Sequence, residues 1–179
     1  RVQVTTMQAV SGAGYPGVAS LDILGNVIPY IGGGEEEKIE TETRKILGDD
    51  NIQVNPTAVR VPVFYGHSEA VNVETRGKIT ADEVRTLLST APGVEIVDER
   101  EPGGYPTPIT HASGRDPVYV GRIRDDVVWA ADGIKRARMM TLSLTWDHRV
   151  LDGAPAAEFC REIARHLAPV LEVAFQLRL

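Results

Sequence analysis

The sequence predicts an α+β domain with a mixed, largely antiparallel sheet and helices packed on one face. Three observations carry that expectation. Strand-like and helix-like segments follow one another in mixed order, without a βαβ nucleotide-binding fingerprint. Residues 35–47 and 80–91 each hold strong helix-terminus signals. Residues 140–146 alternate cleanly, with Leu142, Leu144 and Trp146 on one face and Thr141, Ser143 and Thr145 on the other.

In chain order, residues 1–10 are rich in Val and Thr and read as a strand. A small-residue loop follows, Ser11-Gly12-Ala13-Gly14, where backbone can approach a ligand closely, although an ordinary turn is the better prior. Residues 19–31 are apolar but interrupted by Gly25 and Pro29, which leaves room for a short helix and then an irregular segment. In residues 35–47, three glutamates open a helix and Arg44 and Lys45 close it, as the helix dipole favours. Gly48 takes the C-cap position, and Ile39, Ile46 and Leu47 form the apolar stripe. Residues 52–63 and 68–75 read as two β segments around Gly66.

The helix at 80–91 opens with a capping box, Thr80 and Glu83, and buries Val84, Leu87, Leu88 and Ala91. Residues 94–97 form a short strand. Residues 102–117 form a long Pro- and Gly-rich loop, and 118–124 and 127–131 are strands again. After residue 146, Asp152 caps a last helix that buries Ala156, Phe159, Cys160, Ile163 and Leu167.

Composition narrows the function classes. The chain has 179 residues, 42% hydrophobic and 25% charged, which suits one domain, or one with an appendage. A net charge of −6 without any Lys/Arg block speaks against nucleic acid as a partner. No apolar run approaches the roughly 20 residues of a membrane span. Without a signal peptide, the cytoplasm is the expected compartment. The single cysteine, Cys160, forms no internal disulfide, and the four scattered histidines show no metal-ligand spacing. The first residue, Arg1, opens directly into a strand, as in a piece of a longer chain.

Chemistry gathers at residues 60–69, RVPVFYGHSE. Arg60 is suited to clamp a carboxylate through paired hydrogen bonds, and His67 to move a proton near neutral pH. For both to meet one ligand the chain must bend between them, and Tyr65-Gly66 is where it can. From this decapeptide alone, an edge-strand salt bridge and a turn-satisfying histidine are the plainer reading. Glu35 and Lys38, three apart, share a face in the first turn of their helix, as a solvated helix start also would. His148, at a strand end four residues before Asp152, is either a general base or incidental to a helix entry.

Longer matches change the balance. TMQAVSGAGYPGVASLDILGNVIPYI, EEEKIETETRKILG, RVPVFYGHSEAVNVET, GGYPTPI and GRDPVYVGRIRDD occur in order over about two-thirds of the chain. Together they resemble the C-terminal, substrate-binding and dimerisation half of aspartate-semialdehyde dehydrogenase, closest to its archaeal and fungal form. The resemblance implies a glyceraldehyde-3-phosphate dehydrogenase-like C-terminal domain over residues 1–137. It also implies NADP as cofactor, a small anionic substrate with phosphate, and a homodimer. By resemblance Arg60 holds the substrate carboxylate, His67 is the acid/base and Gln8 orients the substrate. Glu35 meets its amino group and Lys38 meets phosphate. Ser11, Gly12 and Gly14 line the nicotinamide and its phosphates.

The family's nucleotide-binding half and nucleophilic cysteine have no counterpart in this sequence. These residues alone are therefore expected to be inactive. Residues 138–179 take the place of the family's closing helix. There MMTLSLTWDHRVLDGAPAAEF is similar to the C-terminal end of the acyltransferase of 2-oxo-acid dehydrogenase complexes, with its HxxxDG signature. That likeness implies His148 as the base toward coenzyme A or dihydrolipoamide, with Asp152 supporting it. Structure, a foreign strand and helix closing the sheet, is the weightier expectation for this segment. A third possibility is a non-catalytic assembly module in a chimeric chain.

Overall fold

The computed structural model describes residues 1–75, 77, 79–130 and 133–146. Among them, six strands form one sheet: β1 (Val2–Gln8), β2 (Val54–Arg60), β3 (His67–Glu74), β4 (Val94–Ile96), β5 (Val118–Ala130) and β6 (Gly133–Trp146). Their order is β2-β1-β3-β6-β5-β4. β1 runs parallel to β2, and β4 to β5; β1–β3, β3–β6 and β5–β6 are antiparallel. The sheet is mixed and mainly antiparallel, as expected.

Register fixes which side chains share a face, because the side-chain period of a strand is two. One transverse row reads Ile96–Val120–Leu144–Glu69–Thr6–Ala58 and crosses all six strands. This inner face carries the helices α2 (Glu35–Leu47) and α3 (Ala81–Leu88). α3 starts at a complete capping box: the Glu83 amide donates to Thr80 Oγ1, and the Thr80 amide to Glu83 Oε2. Its Val84 and Leu88 pack with Ile79, Val118, Val120 and Ile123. Each such burial contributes roughly 1.5–3 kcal/mol. Arg85 staples the helix to the sheet through Asp98 at 2.7 Å and the Ile123 carbonyl.

α2 covers β2 differently. It carries the apolar stripe Ile39, Ile46 and Leu47, yet none of its residues is fully buried. Polar anchors hold it instead. Glu36 Oε1 accepts from the Ala58 amide at 2.9 Å, and Arg44 Nε donates to the Ile52 carbonyl at 2.9 Å.

Among the described residues, the outer face is covered at one end only. There the 102–117 loop folds a π-helical turn, Pro108–Ala112, and lays the His111 ring against Tyr119. Over β2, β1 and β3 this face presents Thr5, Met7, Thr57, Val59, Ser68, Ala70 and Asn72, half-buried or exposed, with Gln3, Asn55 and the charged Glu74 toward its far end.

Three expectations are refined. The segments around Gly66 do not pair with each other; each pairs with β1, which lies between them. Residues 118–130 form one strand, not two, with irregularities between Gly121 and Arg124 and between Asp126 and Val128; Arg122 adopts φ 59 there. β6 starts at Gly133 and spans the expected boundary at 137/138. The last helix, with His148, Asp152 and Cys160, lies outside the described residues.

Candidate anion-binding site

The strand order brings three sequence-distant side chains to one end of the sheet. Gln8 is the last residue of β1 and is register partner to Arg60, the last of β2. His67 opens β3 on the far side of β1. Gly66, at φ 84, makes the turn that delivers it. All three are buried, with Arg60 and His67 each 6% exposed.

The backbone of one residue holds Arg60 and His67 together. The Ala9 amide donates to His67 Nδ1 at 3.2 Å, and the Ala9 carbonyl accepts from Arg60 Nη1 at 2.8 Å. The first bond requires a lone pair on Nδ1, so the neutral ring carries its proton on Nε2. The second consumes one guanidinium donor and leaves the others for a ligand. A Cβ on Gly12 would lie 3.0 Å from His67 Nε2 and 3.1 Å from Arg60 Nη1. The missing side chain is therefore what keeps the space between the two groups open.

Glu35 and Lys38 complete the cluster from the first turn of α2. They form an ion pair at 2.9 Å. The Lys38 hydrogen bond lowers the Glu35 pKa, against burial; the Lys38 charge, the Gln8 amide and the Arg60 charge add to the lowering. Lys38 is raised in turn, first by its bond to Glu35. Burial lowers Arg60, with the Glu35 charge opposing. The structure thus brings Gln8, Glu35, Lys38, Arg60 and His67 to the same end of the sheet. The arrangement offers a guanidinium, an ammonium and an imidazole N–H to an anion, beside a carboxylate suited to an amine.

The glycine loop fits a cofactor in one respect only. Ser11, Gly12 and Gly14 donate their amides to the carbonyls of Phe64, Ala9 and Ser11. They therefore make no nest of free N–H groups for phosphates. What remains is the Ser11 hydroxyl, because the Cβ-free side of Gly12 is taken up by His67 and Arg60. An added Cβ at Gly14 would touch nothing within 4 Å.

Sequence reading missed the supporting residues. Thr6 Oγ1 accepts from Gln8 Nε2 at 3.4 Å. Ala9 acts through its backbone, for which no side-chain signal exists. Ile28 exchanges two backbone hydrogen bonds with Arg60, at 3.0 and 2.9 Å, which fixes the end of β2.

A family model described as "Semialdehyde dehydrogenase, dimerisation domain" matches residues 1–134. The chain belongs to this family. A second model, "2-oxoacid dehydrogenases acyltransferase (catalytic domain)", matches residues 105–174. Aspartate-semialdehyde dehydrogenase of Legionella pneumophila is 45% identical over 154 residues, covering 71% of this chain and 44% of its own length. The enzyme of Methanothermobacter thermautotrophicus is 41% identical over 150 residues, 72% of this chain and 43% of its own. Among solved structures, aspartate semialdehyde dehydrogenase II from Vibrio cholerae superposes with TM-score 0.72 and 37% identity, over 94% of this chain and 55% of that one. The Candida albicans enzyme with NADP gives 0.65 and 27%, over 94% and 51%. This member of the semialdehyde dehydrogenase family thus spans about half the length of its relatives.

Proposed function

We propose that these residues form the substrate-binding and dimerisation part of an NADP-dependent aspartate-semialdehyde dehydrogenase. The reaction, in cytoplasmic amino-acid biosynthesis, interconverts L-aspartyl phosphate and L-aspartate semialdehyde. The observation that carries this reading is the convergence of Gln8, Glu35, Lys38, Arg60 and His67 around one opening. In this reading Arg60 clamps the substrate carboxylate, Glu35 receives its ammonium and Lys38 faces phosphate. Gln8 orients the reacting carbon. His67 offers Nε2–H to the oxygen on which charge develops. NADP would accept or donate hydride when bound, with the loop of Ser11, Gly12 and Gly14 beside its nicotinamide. The attacking thiolate is not supplied by residues 1–146, since the only cysteine is Cys160. The described residues therefore serve binding and orientation.

Self-association is part of the reading. The open outer face of β2, β1 and β3 supports it. Thr5, Met7, Thr57, Val59, Ser68, Ala70 and Asn72 form an uncharged stretch of it, and its charged pair, Glu74 with Arg1, stands at the end away from the site.

Calorimetric titration with inorganic phosphate tests the site. Binding is expected to weaken at least tenfold in Arg60→Ala and in Lys38→Ala. Equal affinity in wild type and both variants would end the reading.

The match over residues 105–174 supports a second reading, an acyltransferase segment with His148 as base and Asp152 in support. On that reading residues 138–179 act as a separate functional part. It requires acetyl transfer from acetyl-CoA to dihydrolipoamide that disappears in His148→Ala.

A further inference from the structure

The inner-face row across the six strands contains one ionisable residue, Glu69, among Ile, Val, Leu, Thr and Ala. It sits two positions along β3 from His67, so both side chains project from the same face, with Cα atoms roughly 6.5 Å apart. Directly opposite on β1 is Thr6, the residue that accepts from Gln8. Charged groups reaching this side of the sheet are Arg60 from β2, Glu35, Glu36 and Lys38 from α2, and the Arg85–Asp98 pair at α3. β1 contributes Thr6 and Gln8, neither of them ionisable. Among the described residues the Glu69 carboxyl makes no hydrogen bond or ion pair. Although part of its surface stays open, its surroundings are apolar enough that burial alone raises it to about 7.

We propose that Glu69 and His67 titrate as a coupled pair, which makes Glu69 the positioning residue that sets the charge of this site and its affinity for an anion. The proposal rests on the reading of Arg60 and Lys38 as anion binders. The two ring environments pull in opposite directions. The Ala9 amide on Nδ1 favours the neutral imidazole, because an imidazolium has no lone pair there. A carboxylate at the adjacent position of the same face favours the imidazolium. Each ionisation therefore shifts the other, and both titrate in stages that belong to the pair. As pH rises, Glu69 gains a negative charge and His67 loses any positive one. Both changes weaken anion binding.

NMR titration of the His67 ring and the Glu69 carboxyl in the full chain tests the pair. In wild type both resonances are expected to show two-step curves. In Glu69→Gln, nearly isosteric and uncharged, the His67 midpoint is expected to fall by roughly one unit or more. Glu69→Asp is expected to retain a charge-dependent shift. Single-step curves, or an unchanged His67 midpoint in Glu69→Gln, would overturn the proposal. Sulfate, which does not titrate in this range, gives the binding consequence. Between pH 5.5 and 8.5 its affinity is expected to fall roughly threefold to tenfold more in wild type than in Glu69→Gln. Equal pH slopes would refute the role in anion affinity. Sulfate binding indifferent to Arg60→Ala would instead refute the anion site, while the ring titration still judges the pair.

Discussion

Replacing Gly12 by alanine asks whether the space between Arg60 and His67 is a built feature. The added methyl would stand 3.0 Å from His67 Cε1 and Nε2 and 3.1 Å from Arg60 Nη1. Comfortable contact lies near 3.5–4.0 Å, so both groups must retreat by about half an ångström. Neither is free to do so. The ring is held at 3.2 Å by the Ala9 amide and the guanidinium at 2.8 Å by the Ala9 carbonyl. Overpacking of this kind costs about 1–3 kcal/mol. Gly12 lies outside the left-handed region, where alanine would ordinarily stabilise a chain by about 0.4–1 kcal/mol through the unfolded state. The sign of the effect is therefore diagnostic. Urea unfolding is expected to show a loss of about 1–3 kcal/mol, and calorimetry a drop in phosphate affinity of about tenfold or more. Gly32→Ala, where an added Cβ meets nothing within 4 Å, serves as control and should stay within about 0.5 kcal/mol. A Gly12→Ala chain as stable as wild type, with phosphate affinity intact, would refute the geometry.

Two further outcomes follow from the same contacts. Glu69 is raised in the folded chain from 4.5 to about 7, so its contribution to stability is full below pH 4.5 and lost as pH rises through 7. That shift sets an upper limit of about 3 kcal/mol, and partial exposure reduces it to roughly 1–2. The stability difference between Glu69→Gln and wild type in urea should accordingly grow by that amount from pH 4.5 to 8.5; a constant difference would contradict it. Glu36→Ala leaves the Ala58 amide without its acceptor at 2.9 Å, beneath a helix with no fully buried residue. A loss of about 1–3 kcal/mol is expected, together with faster hydrogen exchange at Ala58. Unchanged exchange there would show that the anchor does not hold α2.

Legibility in the sequence tracked the range of the interactions. α3 was readable because its capping box is contained in four residues, and α2 because Gly48, at φ 66, ends it in left-handed geometry. How α2 attaches was not legible, because an apolar stripe does not reveal whether the facing surface is apolar; here Glu36 and Arg44 make the attachment. The bend before His67 was legible in Gly66. That β1 intervenes between β2 and β3 was not, since strand partners are chosen by distant residues. Five site residues were named from the family resemblance, and the fold brings them together. Ala9 stayed invisible because its function lies in its backbone. Glu69 could have been found, because a strand period of two places it on the face of His67.

The strand order has a consequence for assembly. Arg60 and His67 are near neighbours in the chain, yet the segment that joins them spatially is the first ten residues, wedged between theirs. A partly folded chain with residues 54–74 in place but its leading strand unpaired would own every charged group of the pocket and none of its geometry. Removing residues 1–9 should consequently abolish ligand recognition outright, instead of trimming stability at an edge.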